Sequence, residues 1–436
     1  MFDTLFTNAD ILTMDKSCPI LRGGFVGVKN GKIVYVSEEK PEGSAKRTID
    51  CAKKVLMPGL INTHAHTAMC VMRGYADDYP LQQWLYDHVF PVEARLDERA
   101  VVAGARLGFA EMLRTGTTSV SDMYYYQTAV AELALHVGIR ASLSNGVVAL
   151  DPDQFDYEND RSMRETRALI SDFHGTGNGR IKADVSIHGE YTSAPKNWRY
   201  VTELGKKHGL NMHVHLSETK AEHDECVKRS GKTPAQRFAE NGVFDVKTIA
   251  AHCVWITDND MELMAKYHVS CAHNPVSNLK LGSGIAPIKR MIEKGVNVSL
   301  GTDGCCSNNT HDLFEEIKLS AILSKGTTLN PTAVSAYEAL KFATVNGALA
   351  QGREKEIGKI ASGMEADIIL VDLNSPLTRP YFSPDSAVVY SATGERVCLT
   401  MVQGKVLYEN GELTTIDIEK AYDEIERHAV KLVLNN

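Results

Sequence analysis

Eight short apolar or β-branched runs recur through the middle of the chain, at residues 55–62, 118–123, 140–148, 183–188, 211–216, 248–254, 269–273 and 297–301. Between them the apolar positions shift to spacings of three and four, the period of a half-buried helix, over 98–115, 129–137, 196–208, 235–241, 258–267 and 287–294. Eight strand–helix units in succession predict a (β/α)8 TIM barrel, an α/β fold. The alternative is an open doubly wound sheet, which carries a glycine-rich phosphate turn after its first strand; none is present here.

Both ends of the chain follow a different rhythm. Short alternating runs separated by turns occupy 2–12, 24–29, 31–37 and 45–50, and again 367–372, 388–390, 397–402 and 405–409, with hairpin signals at Asn30-Gly31 and Asn410-Gly411. They predict one β-sandwich built from both ends: 1–56 as its first part, the barrel over 57–358, and 359–436 as its second part. The tail from 416 to 436 reads as an amphipathic helix. The stretch 149–179 is long for a strand–helix connection and reads either as a lid or as a solvated excursion with one short helix.

Composition narrows the class. Hydrophobic residues make up 43% and charged residues 23% of the 436, and no apolar run approaches the ~18 residues of a membrane span. The opening Met1-Phe2-Asp3-Thr4-Leu5-Phe6 lacks the regions of a secretory signal. A net charge of −8 without Lys/Arg blocks argues against nucleic acid as a partner. The nine cysteines are scattered, with neither a disulfide framework nor a CxxC knuckle, so a reducing cytoplasmic setting is expected. Cys253 and Cys271 read as packed thiols, and Cys305-Cys306 as structural.

Chemistry gathers at the strand ends. His64 and His66 lie two apart in Met57-Pro58-Gly59-Leu60-Ile61-Asn62-Thr63-His64-Ala65-His66 and face the same side of an extended chain. His188, His215, His252 and Asp303 end later runs, and a barrel brings such residues to one mouth. His64, His66, His215 and Asp303 form a four-donor set suited to one divalent ion, Zn²⁺ first and Fe²⁺ as the alternative. A bound ion lowers the pKa of its water from 15.7 to about 7 and so supplies a nucleophile. Strand alternation leaves His213 open as a ligand beside His215; the spacing from His215 to Glu218 favours His215. Glu218 is the candidate general acid/base. His252 polarises developing charge or, on the plainer reading, is a core histidine. His273, at the seventh strand end, is a candidate for a supporting role.

These residues resemble the amidohydrolase superfamily over nearly the whole chain. Pro58-Gly59-Leu60-Ile61-Asn62-Thr63-His64-Ala65-His66, Trp84 with Phe90-Pro91-Val92-Glu93, Ser277-Asn278-Leu279-Lys280-Leu281 and Gly363-Met364-Glu365-Ala366-Asp367 are similar to the branch of 5-methylthioadenosine/S-adenosylhomocysteine deaminases and triazine hydrolases. The resemblance implies one metal ion, since a fourth strand ending in His188 lacks the bridging lysine of binuclear relatives. It further implies that Glu93 binds ribose hydroxyls, Trp84 packs near the purine and His188 contacts substrate. In the implied deamination activated water attacks C6 of adenine, Asp303 takes the water's proton, Glu218 protonates N1 and His252 steadies the nucleophile; Glu218 and Asp303 thereby also touch substrate. The expected partners are a small nucleoside and further copies of the chain in a homo-oligomer, with neither nucleic acid nor membrane.

Two departures bear on the substrate. Ser144-Asn145-Gly146 stands where the family's S-adenosylhomocysteine binders carry an Arg, which shifts the expectation toward 5′-deoxy or 5′-methylthio nucleosides unless Arg73, Arg161 or Arg164 substitutes. Ile187-His188-Gly189-Glu190-Tyr191 also departs from the family's His-x-Pro-Tyr form. Two rival readings are hydrolysis of a triazine or free base by the same chemistry, and a catalytically dead scaffold that would normally lack the donors retained here.

Overall fold

The computed structural model describes residues 1–149 and 151–435; Leu150, in the expected loop, and Asn436, at the end of the expected tail helix, lie outside the described residues. The barrel strands run in chain order as Leu60–His66, Thr117–Met123, Arg140–Ser144, a fourth in two pieces (Ile181–Ala183 and Val185–Ile187), Met212–Leu216, Thr248–His252, Ser270–His273 and Asn297–Leu300. Every neighbouring pair is parallel. They divide into two sheets, joined where single strands change partners. At the fourth strand Asp184 N–H donates to Leu143 O, and Val185 N–H to Asn211 O on the opposite side. At the eighth, Gly301 N–H donates to His273 O and Thr302 N–H to His64 O, after which Asp303–Gly304 pairs with Ala65 and His66. These crossings close the ring, and the second brings Asp303 beside the first strand. Gly301 is required there, because a Cβ would lie 2.5 Å from Asn274 Oδ1 and 2.7 Å from His64 O.

The first apolar run divides at Gly59. Lys54–Pro58 pairs antiparallel with Ile368–Asp372, whereas Leu60–His66 enters the barrel. The two ends of the chain share one nine-stranded sheet, whose inner side chains (Phe6, Ile11, Val26, Leu56, Ile368, Met401) form a separate core. Arg140 at the start of the third barrel strand reaches across to Asp367, with two bonds of 3.0 Å between fully buried groups. This fork is the planar match of guanidinium to carboxylate, and it gives the Asp367 motif a structural reason.

Two expectations change. Residues 388–390 are helical, within Ala387–Ser391, rather than a strand: Pro384 opens a helical turn, and three consecutive buried residues cannot alternate between the faces of a sheet. The third strand stops at Ser144, with only a bridge from Val147 to Ile187 beyond it. The 149–179 stretch carries a helix, Arg161–Ala168, capped by Asp160. The tail is helical over 418–434 and packs on Glu98–Arg114, where Arg106 meets Glu424 at 2.5 Å. Among the described residues no helix is long and apolar enough to cross a membrane.

Candidate active site

At the carboxyl ends of the strands, polar atoms converge on one point. His64 Nε2 lies 3.3 Å and His66 Nε2 3.2 Å from Asp303 Oδ1, and His66 Nε2 lies 3.3 Å from His215 Nε2. Tetrahedral neighbours around an ion with bonds of 2.0–2.1 Å are about 3.3–3.4 Å apart, so these separations match a shared divalent cation.

The outer ring atoms explain the orientation. His66 Nδ1–H donates to Met123 O at 2.5 Å, and His215 Nδ1–H donates to His188 O at 2.6 Å. A carbonyl can only accept, so each Nδ1 keeps its proton and each Nε2 faces the other. Two bare lone pairs at that distance repel, so a proton on His66 or a metal ion lies between them. His64 Nε2 is also buried and faces Asp303 Oδ1, while its Nδ1 meets His213 Nε2 at 2.9 Å. In the metal-free protein, burial alone would lower His66, but the hydrogen bond and charge of Asp303 raise it to about 9. Burial drives His215 well below its usual range. Burial would raise Asp303, yet bonds from His64 and His66 hold it well below the usual carboxylate range. The donor set therefore fits a divalent ion.

His213 sits one pleat deeper than His215 and backs His64, a supporting position rather than a cavity-facing one. Asp303 Oδ2 accepts from Ser277 Oγ at 2.6 Å and Ser307 Oγ at 2.9 Å, which leaves Oδ1 for the centre. Glu218 Oε2 lies 3.7 Å from His252 Nε2, and His252 Nδ1 meets Asn278 Oδ1 at 2.8 Å. Burial raises the Glu218 carboxyl. Glu222 accepts the backbone N–H groups of Ser217 (3.0 Å) and Glu218 (2.7 Å), fixing the turn that carries Glu218. His273 is buried with Nδ1 unpartnered and does not line the cavity.

Above this floor opens a cavity of about 750 Å³, mouth included. His66, His188, His215, Glu218, His252 and Asp303 form its base; its walls include Leu81, Trp84, Leu85, Val89, Phe90, Tyr125, Val148 and Leu281. Glu93 stands in the same wall, half-buried, accepting from Tyr125 Oη at 3.4 Å, and burial raises its carboxyl. His188 is lowered by burial to about 4 and is neutral at the cavity edge. Among the described residues no Arg or Lys lines this space. Arg73 turns away to Glu111, and Arg161 lies over the Tyr126 ring. Asn145 is buried beside the wall, which Gly146 and Val148 complete. Glu190 points outward to Arg229 and Arg237, and Tyr191 takes the cavity face.

The sequence reading passed over Ser277, Ser307, Asn278 and Glu222 as orienting residues. Ser277 and Asn278 stand within a quoted motif, four and five residues past the seventh strand end, which was their available signal.

Comparison with known proteins places this geometry in context. The profile of the amidohydrolase family matches residues 55–407. A 5-methylthioadenosine/S-adenosylhomocysteine deaminase of Thermoanaerobacter pseudethanolicus is 40% identical over 98% of this chain and 99% of its own. A 5′-deoxyadenosine deaminase of Methanosarcina acetivorans is 42% identical over 99% of each. The crystal structure of an adenosine deaminase from Xanthomonas campestris with bound zinc superposes with a TM-score of 0.93 at 32% identity, covering 100% of this chain and 99% of that one.

Proposed function

The chain belongs to the amidohydrolase family, and from that premise we propose that it is a metal-dependent deaminase of adenosine-type nucleosides, exchanging the 6-amino group for oxygen and releasing ammonia. The reading rests on the convergence of the four donors at the floor of a cavity that Glu218 and Glu93 also line. The relatives' printed activities support it.

His64, His66, His215 and Asp303 are assigned to one ion, Zn²⁺ first. When bound, such an ion lowers the pKa of a water to about 7 and supplies a nucleophile at neutral pH. The other steps fall to side chains. Glu218, whose carboxyl burial raises, is assigned to protonate the adenine N1 as water adds at C6. Asp303, kept ionised with Ser277 and Ser307 fixing its plane, accepts the proton that water loses and passes it to the amino group, which leaves C6 as ammonia while the new hydroxyl returns a proton to Glu218. His252, oriented by Asn278, steadies the charge that develops beside Glu218. His188 contacts the base, Trp84 packs near the purine, and Glu93 accepts from the ribose hydroxyls. A cavity lined without Arg or Lys favours a neutral 5′ group, methylthio or hydrogen, over the zwitterionic homocysteine.

The test is ammonia release by zinc-loaded protein from adenosine, 5′-deoxyadenosine, methylthioadenosine, S-adenosylhomocysteine, guanine, cytosine and a chlorotriazine. Turnover is expected for the nucleosides, highest with neutral 5′ groups. Turnover confined to the last three would overturn the substrate class.

A further inference from the structure

Behind the catalytic floor lie two thiols and an imidazole that the deamination does not use. Cys70 Sγ and Cys305 Sγ are 3.4 Å apart, and with a His311 ring nitrogen the donor atoms all fall within 4.8 Å of one another. His311 and Cys305 are completely buried, and Cys70 is 5% exposed. His311 Nδ1 meets Thr302 Oγ1 at 2.9 Å, whereas its Nε2 is buried with no hydrogen-bond partner. Arg73 Nη2 lies 3.5 Å from Cys70 Sγ and is paired with Glu111 at 2.5 Å; Glu111 also accepts the backbone N–H of His311.

We propose that Cys70, Cys305 and His311 form a second metal site, separate from the catalytic one, for a thiophilic divalent ion such as Zn²⁺. Geometry favours a metal over a disulfide. Two sulfurs bonded at 2.3 Å to one tetrahedral ion stand about 3.8 Å apart, a few tenths of an ångström beyond the observed separation. A disulfide needs ~2.05 Å, a closure of more than ~1 Å between side chains packed in a rigid interior. Charge favours it as well. Binding of a divalent ion displaces the Cys305 proton, and the two thiolates and Glu111 against Arg73 then sum to −2, which the ion cancels. The orphaned imidazole nitrogen gains its missing partner, and three protein ligands leave the fourth position to a small ligand such as water, as in open Cys2His sites. Cys70 lies in the turn Thr67–Met72 directly after His66, and Cys305 two residues after Asp303, so an ion here clamps together the two segments that deliver catalytic donors.

The test uses Co²⁺ added to metal-free full-length protein. None of His64, His66, His215 and Asp303 offers sulfur, so a thiolate-to-cobalt charge-transfer band cannot come from the catalytic donors, and the variants trace it to Cys70 and Cys305. The wild type is expected to show that band and to take up a second equivalent of metal. Cys70→Ser and Cys305→Ala should each lose the band and that equivalent while retaining the first. A wild type with no band and one equivalent, recovery of Cys70 and Cys305 as a disulfide, or a band that survives in both variants would each overturn the proposal. A wild type without the band overturns the proposal even if a variant fails to fold.

Discussion

On the floor of the cavity His66, His215, His252 and Asp303 each commit their far atom to a fixed partner, while on the walls Leu81, Leu85, Phe90, Val148 and Leu281 present only carbon. The backbone differs too. Ser217, His252, Cys253 and Asp303 all have positive φ, between 47° and 72°, a conformation that non-glycine residues hold only when their surroundings impose it. The floor thus sets the reaction through oriented donors, and the walls select among substrates through shape, the Glu93 carboxylate and the absence of cationic side chains. Changes on the floor should therefore cost rate for every substrate; changes on the walls should redistribute rate among substrates.

The largest effect is expected from Asp303→Asn or His215→Ala, which should remove bound zinc and reduce turnover by more than the ~10²–10⁴ of a lost general acid or base. Zinc per chain and kcat on one nucleoside measure both. Glu218→Gln should lower kcat by ~10²–10⁴ with the metal retained; metal loss in this variant would place Glu218 among the ligands and blur the division. Glu93→Ala is the sharpest test of the wall. It should lower kcat/KM for ribosides by ~10- to 100-fold, the worth of hydrogen bonds to a charged group at ~1.5–3 kcal/mol. Unchanged riboside kinetics would instead favour a substrate without ribose.

Ser277→Ala removes a bond that orients Asp303 without touching substrate, and should cost ~10-fold or more in metal affinity or activity. A uniform loss across the nucleoside panel would mark it as part of the floor. The smallest effect is a shift in preference. Val148→Arg places a cation at the exposed rim of the wall and should raise S-adenosylhomocysteine relative to methylthioadenosine by about tenfold, one charge-assisted bond of ~1.5 kcal/mol. An unaltered ratio would mean that the homocysteine carboxylate does not reach that rim.

The floor was largely legible in the sequence because its residues stand at strand ends, where a barrel's geometry turns chain position into spatial position. His64, His66 and Asp303 needed only the period and the turns, and His215 also its spacing to Glu218. His213 and His215 could not be separated by alternation, because both face inward; depth along the strand separates them, and it is the His64 ring that occupies the deeper level. Ser277 and Ser307 were missed since a lone hydroxyl leaves no periodic mark. Glu190 shows the converse: its segment departs from the family's form, yet its carboxylate serves Arg229 and Arg237 outside the cavity. The two-part fourth and eighth strands depend on partner exchange, which no local pattern encodes.

The pairing of Lys54–Pro58 with Ile368–Asp372 has a consequence for biosynthesis. Roughly 300 residues separate these partners, so at ~5–20 residues per second the ribosome needs ~15–60 s to deliver the second after the first. Through that interval the early strands offer a bare hydrogen-bonding rim, and mispairing between neighbouring nascent chains is the hazard that the late-arriving segment removes.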